Sequence, residues 1–466
     1  MNTLEFASLV MESLPYEPTT QQVDVIAALA RFCSAQTQAD TVFLLNGYAG
    51  TGKTSLCAAL FKALNTVGTG TVLLAPTGRA AKVFGAFARH PAYTIHRRIY
   101  SVGGNGISAE RSVRLAENRS VNTVFIVDEA SMIGADSSTG NLLEHLLHYV
   151  YSGVNCRLIL LGDTAQLPPV GCENSPAMSV RMLREAGLRV NRAILTATVR
   201  QTSDSGILYN ATRLRRVMGL EELPAPRMRA SCFNDVKCIG GEELEDSINS
   251  AYARDGVNDT ILITRSNMRA TRFNLAIRSR ILYAEEELCR DDLLLVAKNN
   301  YFWSKDVKGL DFIANGDTAT VEKLYGTETR YNFRFADVRL HFPDRDVSVD
   351  CKVILDTLVS EQASASRSEM LELYEAIVDD PSDPETSSAT RAANALKSPY
   401  FNALQVKYAY AVTCHKAQGG QWSNVYIDLG YIPPESIGLE FYRWLYTAVT
   451  RATKTLYLLN PSIEVD

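Results

Sequence analysis

Along the chain, short apolar runs alternate with stretches whose apolar residues fall three and four positions apart. The runs at 41–45 (TVFLL), 71–75 (TVLLA), 122–129 (NTVFIVDE) and 156–163 (CRLILLGD) have the unbroken apolar character of strands buried on both faces. Between the first two, Leu56, Leu60, Ala63, Leu64 and Val67 form the apolar stripe of an amphipathic helix, and a second helix is predicted over 79–87. A capped helix over 18–32, with Val25, Ala28, Leu29 and Phe32 on its apolar face, precedes them all. Strand and helix alternating at this spacing predict a parallel sheet. The second half repeats the pattern with strands at 260–264, 406–413, 425–429 and 455–459, which predicts a second parallel sheet. Residues 293–358 instead alternate with period two, as in YNFRFADVRLHF, and read as antiparallel. Between 97 and 122 the regular pattern lapses around Gly103, Gly104, Asn105 and Gly106, which marks an insertion: a short hairpin or a plain surface loop.

Chemistry enters at residues 47–55, GYAGTGKTS, where G-x-x-x-x-G-K-T lies between a strand and a helix start. Gly47, Gly50 and Gly52 let the backbone aim its N–H groups at a polyphosphate. Lys53 can reach the outer phosphates, and the Thr54 hydroxyl can ligate magnesium. The strand 122–129 ends in adjacent carboxylates, of which Asp128 suits a metal and Glu129 suits the base that orients an attacking water. After the next strand, GDTAQLPPV holds Gln166 between a Gly-Asp turn and two prolines, fitting a rigid sensor loop better than a core. Arg200, just past the strand-like run LTATVRQ, can add positive charge to a transferring phosphoryl group.

Composition excludes some classes and leaves one open. At 466 residues, 46% apolar and 21% charged, the chain is long enough for about three domains with sizeable cores. It holds no apolar run of about 18 residues, and its first residues lack a basic, then apolar, leader, so a soluble cytoplasmic protein with no membrane partner is expected. Nine cysteines, none in C-x-x-C, point to reduced thiols, and His145 and His148 lack a third nearby ligand. The net charge of −5 is uneven. Residues 361–385 carry eight acidic residues and one arginine, a balance of −7, so the remainder sums to −5 minus −7, or +2. Basic clusters at Arg97 and Arg98, at Arg213, Arg215 and Arg216, and at Arg265, Arg269, Arg272, Arg278 and Arg280 are either phosphate-binding patches or solvated helix faces.

Taken in order, Gln22, GYAGTGKT, APTGRAAK (75–82), TIHR (94–97), VDEASMI (127–133), GDTAQLPPV (162–170), LTATVRQ (195–201), ANGD (314–317), VTCHKAQGGQW (412–422) and YTAVTRA (446–452) resemble one family. It is the superfamily 1 DNA helicases of the 5′-to-3′ branch, the RecD and Dda group with their Pif-type relatives. The resemblance implies an α/β protein with two RecA-like parallel-sheet P-loop domains in tandem, a small pin insertion in the first and an SH3- or OB-like β-barrel insertion in the second. The implied limits are 1–96 and 122–200 for the first domain, 97–121 for the pin, 201–292 and 405–466 for the second, and 293–404 for the barrel with its acidic segment. It also implies ATP and Mg2+ as cofactors, and single-stranded, tailed or forked duplex DNA as partners of a monomer-competent motor. By motif match, Gln22 reads adenine, with Gln21 as the alternative. Gly47, Gly50, Thr51, Gly52, Lys53, Thr54, Ser55 and Gly419 hold nucleotide, and Thr54 and Asp128 hold the metal. Glu129 handles water, Gln166 senses the γ-phosphate, and Arg200 and Arg451 reach it when the lobes close. The family's ribose-contacting glutamate is replaced here by Gln421. Thr77, His96, Arg97, Tyr100, Thr413 and His415 line the nucleic acid, Tyr100 as the aromatic that stacks on a base. Two other readings stay open: a translocase that acts without separating strands or acts on RNA, and a P-loop kinase or nucleotide switch. Arg451 and a second sheet would serve no purpose in the latter.

Overall fold

The computed structural model describes residues 2–34, 39–102, 113–136, 140–198, 205–305, 307, 310, 312–380 and 387–466. Two parallel sheets organise it. The first has six strands in the order Arg189–Leu195, Thr41–Gly47, Arg157–Gly162, Thr123–Val127, Gly70–Ala75 and Ala92–Thr94. Its three central strands are buried at every position, which is why they read as continuous apolar runs rather than alternating ones. Helices cover both faces, with Leu56, Leu60 and Leu64 of the Lys53–Thr66 helix on one side and Leu143, Leu146 and Val150 of the Leu142–Ser152 helix on the other. The helix expected over 18–32 runs Thr20–Cys33, and Thr19 and Gln22 close a reciprocal capping box at its start.

The second sheet has five parallel strands, Val236–Ile239, Ala452–Leu459, Trp422–Asp428, Thr260–Thr264 and Ala411–Thr413, in that spatial order. A closed five-stranded barrel is inserted in it, built from Leu293–Val296, Thr318–Arg330, Phe333–Phe342, Val347–Ile354 and Leu404–Tyr408. One strand expectation is corrected. The run 406–413 is two strands: Leu404–Tyr408 closes the barrel, and Ala411–Thr413 belongs to the parallel sheet. Asn274 fixes the break between them, donating to Tyr408 O at 3.1 Å and Ala411 O at 2.8 Å and accepting from Ala411 N at 2.7 Å. A continuous apolar run cannot reveal where a strand changes sheets.

Part of the acidic segment is helical, with helices Arg367–Val378 and Ser388–Ala395. The first buries Leu373 with Phe333, Phe335 and Ile354 at the barrel's end. In the first-lobe insertion, Tyr100–Val102 pairs antiparallel with Val113–Leu115, so the base of the insertion is a hairpin. Its glycine turn at 103–106 lies outside the described residues.

Candidate active site

The Thr41–Gly47 strand delivers the glycine loop at its carboxyl end, and Gly52, at φ 78°, turns the chain into the Lys53–Thr66 helix with Ser55 in its first turn. A Cβ at position 47 would stand 2.5 Å from Lys53 Cγ, so glycine is what lets the lysine fold across the loop. The Lys53 ammonium donates to Gly47 O and, at 3.3 Å, to Tyr48 O, and lies 4.0 Å from Asp163. Thr51 is buried and ties its hydroxyl to Tyr48 O at 2.7 Å. Gly50 also turns through a positive φ and faces Leu208.

Asp128 follows the Thr123–Val127 strand and Asp163 follows Arg157–Gly162, so both carboxylates emerge at the sheet edge that carries the P-loop. Outside the carboxyl ends of such strands is where α/β sheets place ligands. The Thr54 hydroxyl donates to Asp128 Oδ2 at 3.2 Å, and Glu129 N–H donates to Asp128 Oδ1 at 2.9 Å. A hydroxyl and a carboxylate converging beside phosphate-directed amides are the hard oxygen donors that suit Mg2+. Glu129 itself adopts φ 53°, the left-handed region, at a cost of about 1–2 kcal/mol for a residue with a Cβ. Burial raises the pKa of both carboxyls; Lys53 opposes the shift at Asp128 and Arg451 opposes it at Glu129. Glu129 Oε2 and Gln166 Oε1 are buried and have no hydrogen-bond partner among the described residues. Leaving such an acceptor unmet costs about 1–3 kcal/mol, and an incoming water or ligand donor removes the cost.

The second lobe reaches the same edge through the Leu439–Val449 helix. The Tyr446 hydroxyl donates to Asp163 Oδ2 at 2.7 Å and accepts from Ala49 N–H at 2.9 Å. Leu167 N–H donates to Thr447 Oγ1 at 2.8 Å, and Gln418 Nε2 donates to Leu167 O at 2.7 Å. Arg451, 3% exposed, is held by Thr447 O at 3.1 Å, Gly420 O at 3.2 Å and Thr450 Oγ1 at 3.2 Å. Its charge opposes the rise in the Glu129 pKa, and the Ala49–Tyr446 hydrogen bond brings residues more than 300 positions apart to this edge. Arg200 lies outside the described residues.

The two glutamines near the P-loop differ in environment. Gln22 is fully buried and donates to Thr51 O at 3.0 Å and to Tyr16 Oη at 3.3 Å. Gln21 instead accepts from Thr196 N and Ala197 N, both at 2.9 Å, fastening its helix to the segment after the edge strand.

A second row of residues follows the seam between the first lobe and the barrel. Thr77 caps the Gly78–Ala88 helix by accepting from Ala80 N at 3.2 Å. Gly419 packs there: a Cβ on it would stand 3.0 Å from Ala80 Cβ and 3.2 Å from Thr77 Oγ1. Thr413 and His415 open the short Cys414–Ala417 helix, and the next residue, Lys416, donates to Asn315 in the barrel. Burial lowers the pKa of His415 and brings that of Lys416 down to about 8. His96 lies 6.1 Å, ring to ring, from Phe312 of the barrel, and Phe312 stacks on Tyr301 at 5.2 Å. Arg97 lies over the Tyr93 ring at 5.2 Å. The Tyr100 ring stands edge-on to His145, its hydroxyl 2.7 Å from His145 Nδ1, and so faces the Leu142–Ser152 helix.

Sequence reasoning gave no role to Asp163, Tyr446, Lys416 or Arg79, the last of which sets its guanidinium 3.8 Å from the ring centre of Trp422 across the lobes. All four lie inside motifs, but motif membership does not say which side chains cross the seam.

Fold and site together define a P-loop nucleotide-binding protein with two RecA-like lobes. Residues 20–222 match a family described as an AAA domain, and residues 408–459 match the UvrD-like helicase C-terminal domain. The chain is 36% identical over 127 residues to an ATP-dependent RecD2 DNA helicase of Deinococcus radiodurans, covering 27% of this chain and 16% of that one. It is 36% identical over 132 residues to the ATP-dependent DNA helicase dda of Enterobacteria phage T4, covering 27% of this chain and 28% of that one. Against an uncharacterized protein of Methanocaldococcus jannaschii, identity is 23% over 453 residues, covering 90% of this chain and 36% of the other. The chain thus spans well under half the length of these relatives. A crystal structure of a Bacteroides Pif1 helicase with ADP-AlF3 and single-stranded DNA superposes with a TM-score of 0.47 at 15% identity, covering 96% of this chain and 93% of that one. The chain thus carries an AAA domain and a UvrD-like helicase C-terminal domain, and over about a quarter of its length it resembles ATP-dependent DNA helicases of the RecD2 and Dda kind. Among the described residues no helix is long and apolar enough to cross a membrane.

Proposed function

We propose that the protein is an ATP-driven DNA helicase that moves 5′ to 3′ along single-stranded DNA and opens the duplex ahead of it. The observation that carries this reading is that the second lobe reaches the phosphate-binding edge of the first: Tyr446 bonds to Asp163 and to Ala49 of the P-loop, and its helix leads on to Arg451, whose charge opposes the rise in the Glu129 pKa. Such a site is complete only when two lobes close, which makes hydrolysis a consequence of their relative motion.

Lys53 and the P-loop amides hold the phosphates of ATP, and Gln22, which donates to Thr51 O of that loop, is assigned to the adenine. Thr54 and Asp128 would hold Mg2+, which supplies charge neutralisation at the outer phosphates. Glu129 orients the attacking water and takes up its proton; Gln166 accepts from the water at its unmet Oε1 and donates from its amide nitrogen to the γ-phosphate. Arg451 stabilises charge developing on the transferred phosphoryl group, with Arg200 as the second arginine assigned to that task. Thr77, His96, Arg97, Thr413 and His415 line the strand that is tracked, and the hairpin that begins at Tyr100 is the wedge. Support for DNA as the track comes from RecD2 and Dda, each described as an ATP-dependent DNA helicase.

A strand-separation assay with 5′-tailed and 3′-tailed duplexes, in DNA and in RNA, tests the proposal. Unwinding of the 5′-tailed DNA alone is the expected result. DNA-stimulated ATP hydrolysis with neither substrate unwound would refute the helicase reading in favour of a translocase.

A further inference from the structure

The Tyr446 hydroxyl has no counterpart in the chemistry derived above, yet it sits at its centre. It belongs to the second lobe, its ring is fully buried, and it makes two hydrogen bonds into the first lobe. One runs to Asp163, whose other oxygen accepts from Ala165 N at 2.9 Å and which stands 4.0 Å from the Lys53 ammonium. The other comes from Ala49, an N–H of the phosphate-binding loop itself. Asp163 is completely buried and the Lys53 side chain is 12% exposed, so this 4.0 Å pair stands in a medium where attraction between opposite charges is strong.

We infer that Tyr446 is a positioning residue for the nucleotide, holding Asp163 away from Lys53 so that the lysine stays available to the terminal phosphate and the P-loop is tied to closure of the second lobe. The inference rests on the proposed nucleotide site, but not on unwinding or on DNA. Phenylalanine at 446 keeps the ring in its place and removes only the hydroxyl. Asp163 Oδ2 then loses a 2.7 Å donor, and the Lys53 ammonium, 4.0 Å from that same oxygen, can close on it. A tighter Lys53–Asp163 pair withdraws positive charge from the outer phosphates. A triphosphate, which depends on that charge more than a diphosphate does, is therefore the ligand that suffers.

The test measures dissociation constants of a fluorescent non-hydrolysable ATP analogue and of fluorescent ADP, with full-length protein and no DNA. Tyr446→Phe should weaken the triphosphate analogue about tenfold, the scale expected when a buried acceptor loses its donor, and ADP less than about threefold. In an Asp163→Asn background, where no carboxylate attracts Lys53, the same change should have little further effect on the ratio. A purely structural hydroxyl would lower the melting temperature and shift both ligands equally, or neither; either binding result overturns the inference. Should Tyr446→Phe fail to fold, Asp163→Asn alone decides the matter. By freeing Lys53 it must keep or strengthen triphosphate binding relative to ADP, and a selective loss of the triphosphate overturns the inference. Loss of strand separation in the wild-type assay would refute the helicase reading and leave these binding results standing.

Discussion

Arg451→Ala isolates the contribution of lobe closure to chemistry. The guanidinium is 3% exposed, held by two backbone carbonyls and a threonine hydroxyl, and opposes the effect of burial on Glu129. A preorganised donor aimed at developing charge is worth about 2.7–4 kcal/mol, so turnover at saturating ATP and single-stranded DNA should fall about 100- to 1,000-fold. A second effect follows from the same charge. Burial already raises the Glu129 pKa, and removing Arg451 raises it further, so the acid limb of the rate profile should move to higher pH. Arg451→Lys, which keeps the charge but not the planar fork, should recover that limb while restoring only part of the rate. The assay is steady-state ATP hydrolysis across pH, with nucleotide affinity measured alongside. Unchanged DNA-stimulated turnover in Arg451→Ala, with nucleotide bound normally, would refute the two-lobe site.

Four further outcomes are expected. Lys53→Ala should abolish turnover, and Glu129→Gln should abolish it while retaining ATP binding; single-turnover hydrolysis and nucleotide titration distinguish the two. Glu129→Gln should also raise the thermal midpoint at neutral pH. A carboxyl whose folded pKa lies above its unfolded value costs stability that grows as pH rises from the unfolded to the folded value and is complete above it, so the gain should shrink on acidification. Lys416, with its pKa near 8, loses its charge above that pH, so affinity for single-stranded DNA should fall between about pH 7 and 9, and Lys416→Gln should flatten the dependence, read by fluorescence anisotropy. Replacing residues 103–112 by a short Gly-Ser linker leaves Leu115 against the first-lobe core, so DNA-stimulated ATPase should survive while unwinding of a 5′-tailed duplex drops sharply in a strand-separation assay.

The sequence by itself determined where the buried strands lie and which residues stand at their ends. The runs at 41–45, 122–129 and 156–163 had to be buried because their apolar residues do not alternate. Lys53, Thr54, Asp128 and Glu129 followed from spacing beside those strands, since a phosphate cradle and its carboxylates are built from chain-local turns. Tertiary structure decided everything that depends on which surfaces meet. Whether 406–413 is one strand or two is set by Asn274, more than 130 residues earlier. That Tyr446 bonds to Asp163 and Ala49, that Arg451 acts on Glu129, and that Lys416 meets a barrel asparagine are products of lobe packing. Periodicity records how much of a side chain is buried and on which face of its own element. It carries no record of the partner, because the same apolar stripe or buried hydroxyl is satisfied equally well by any complementary surface.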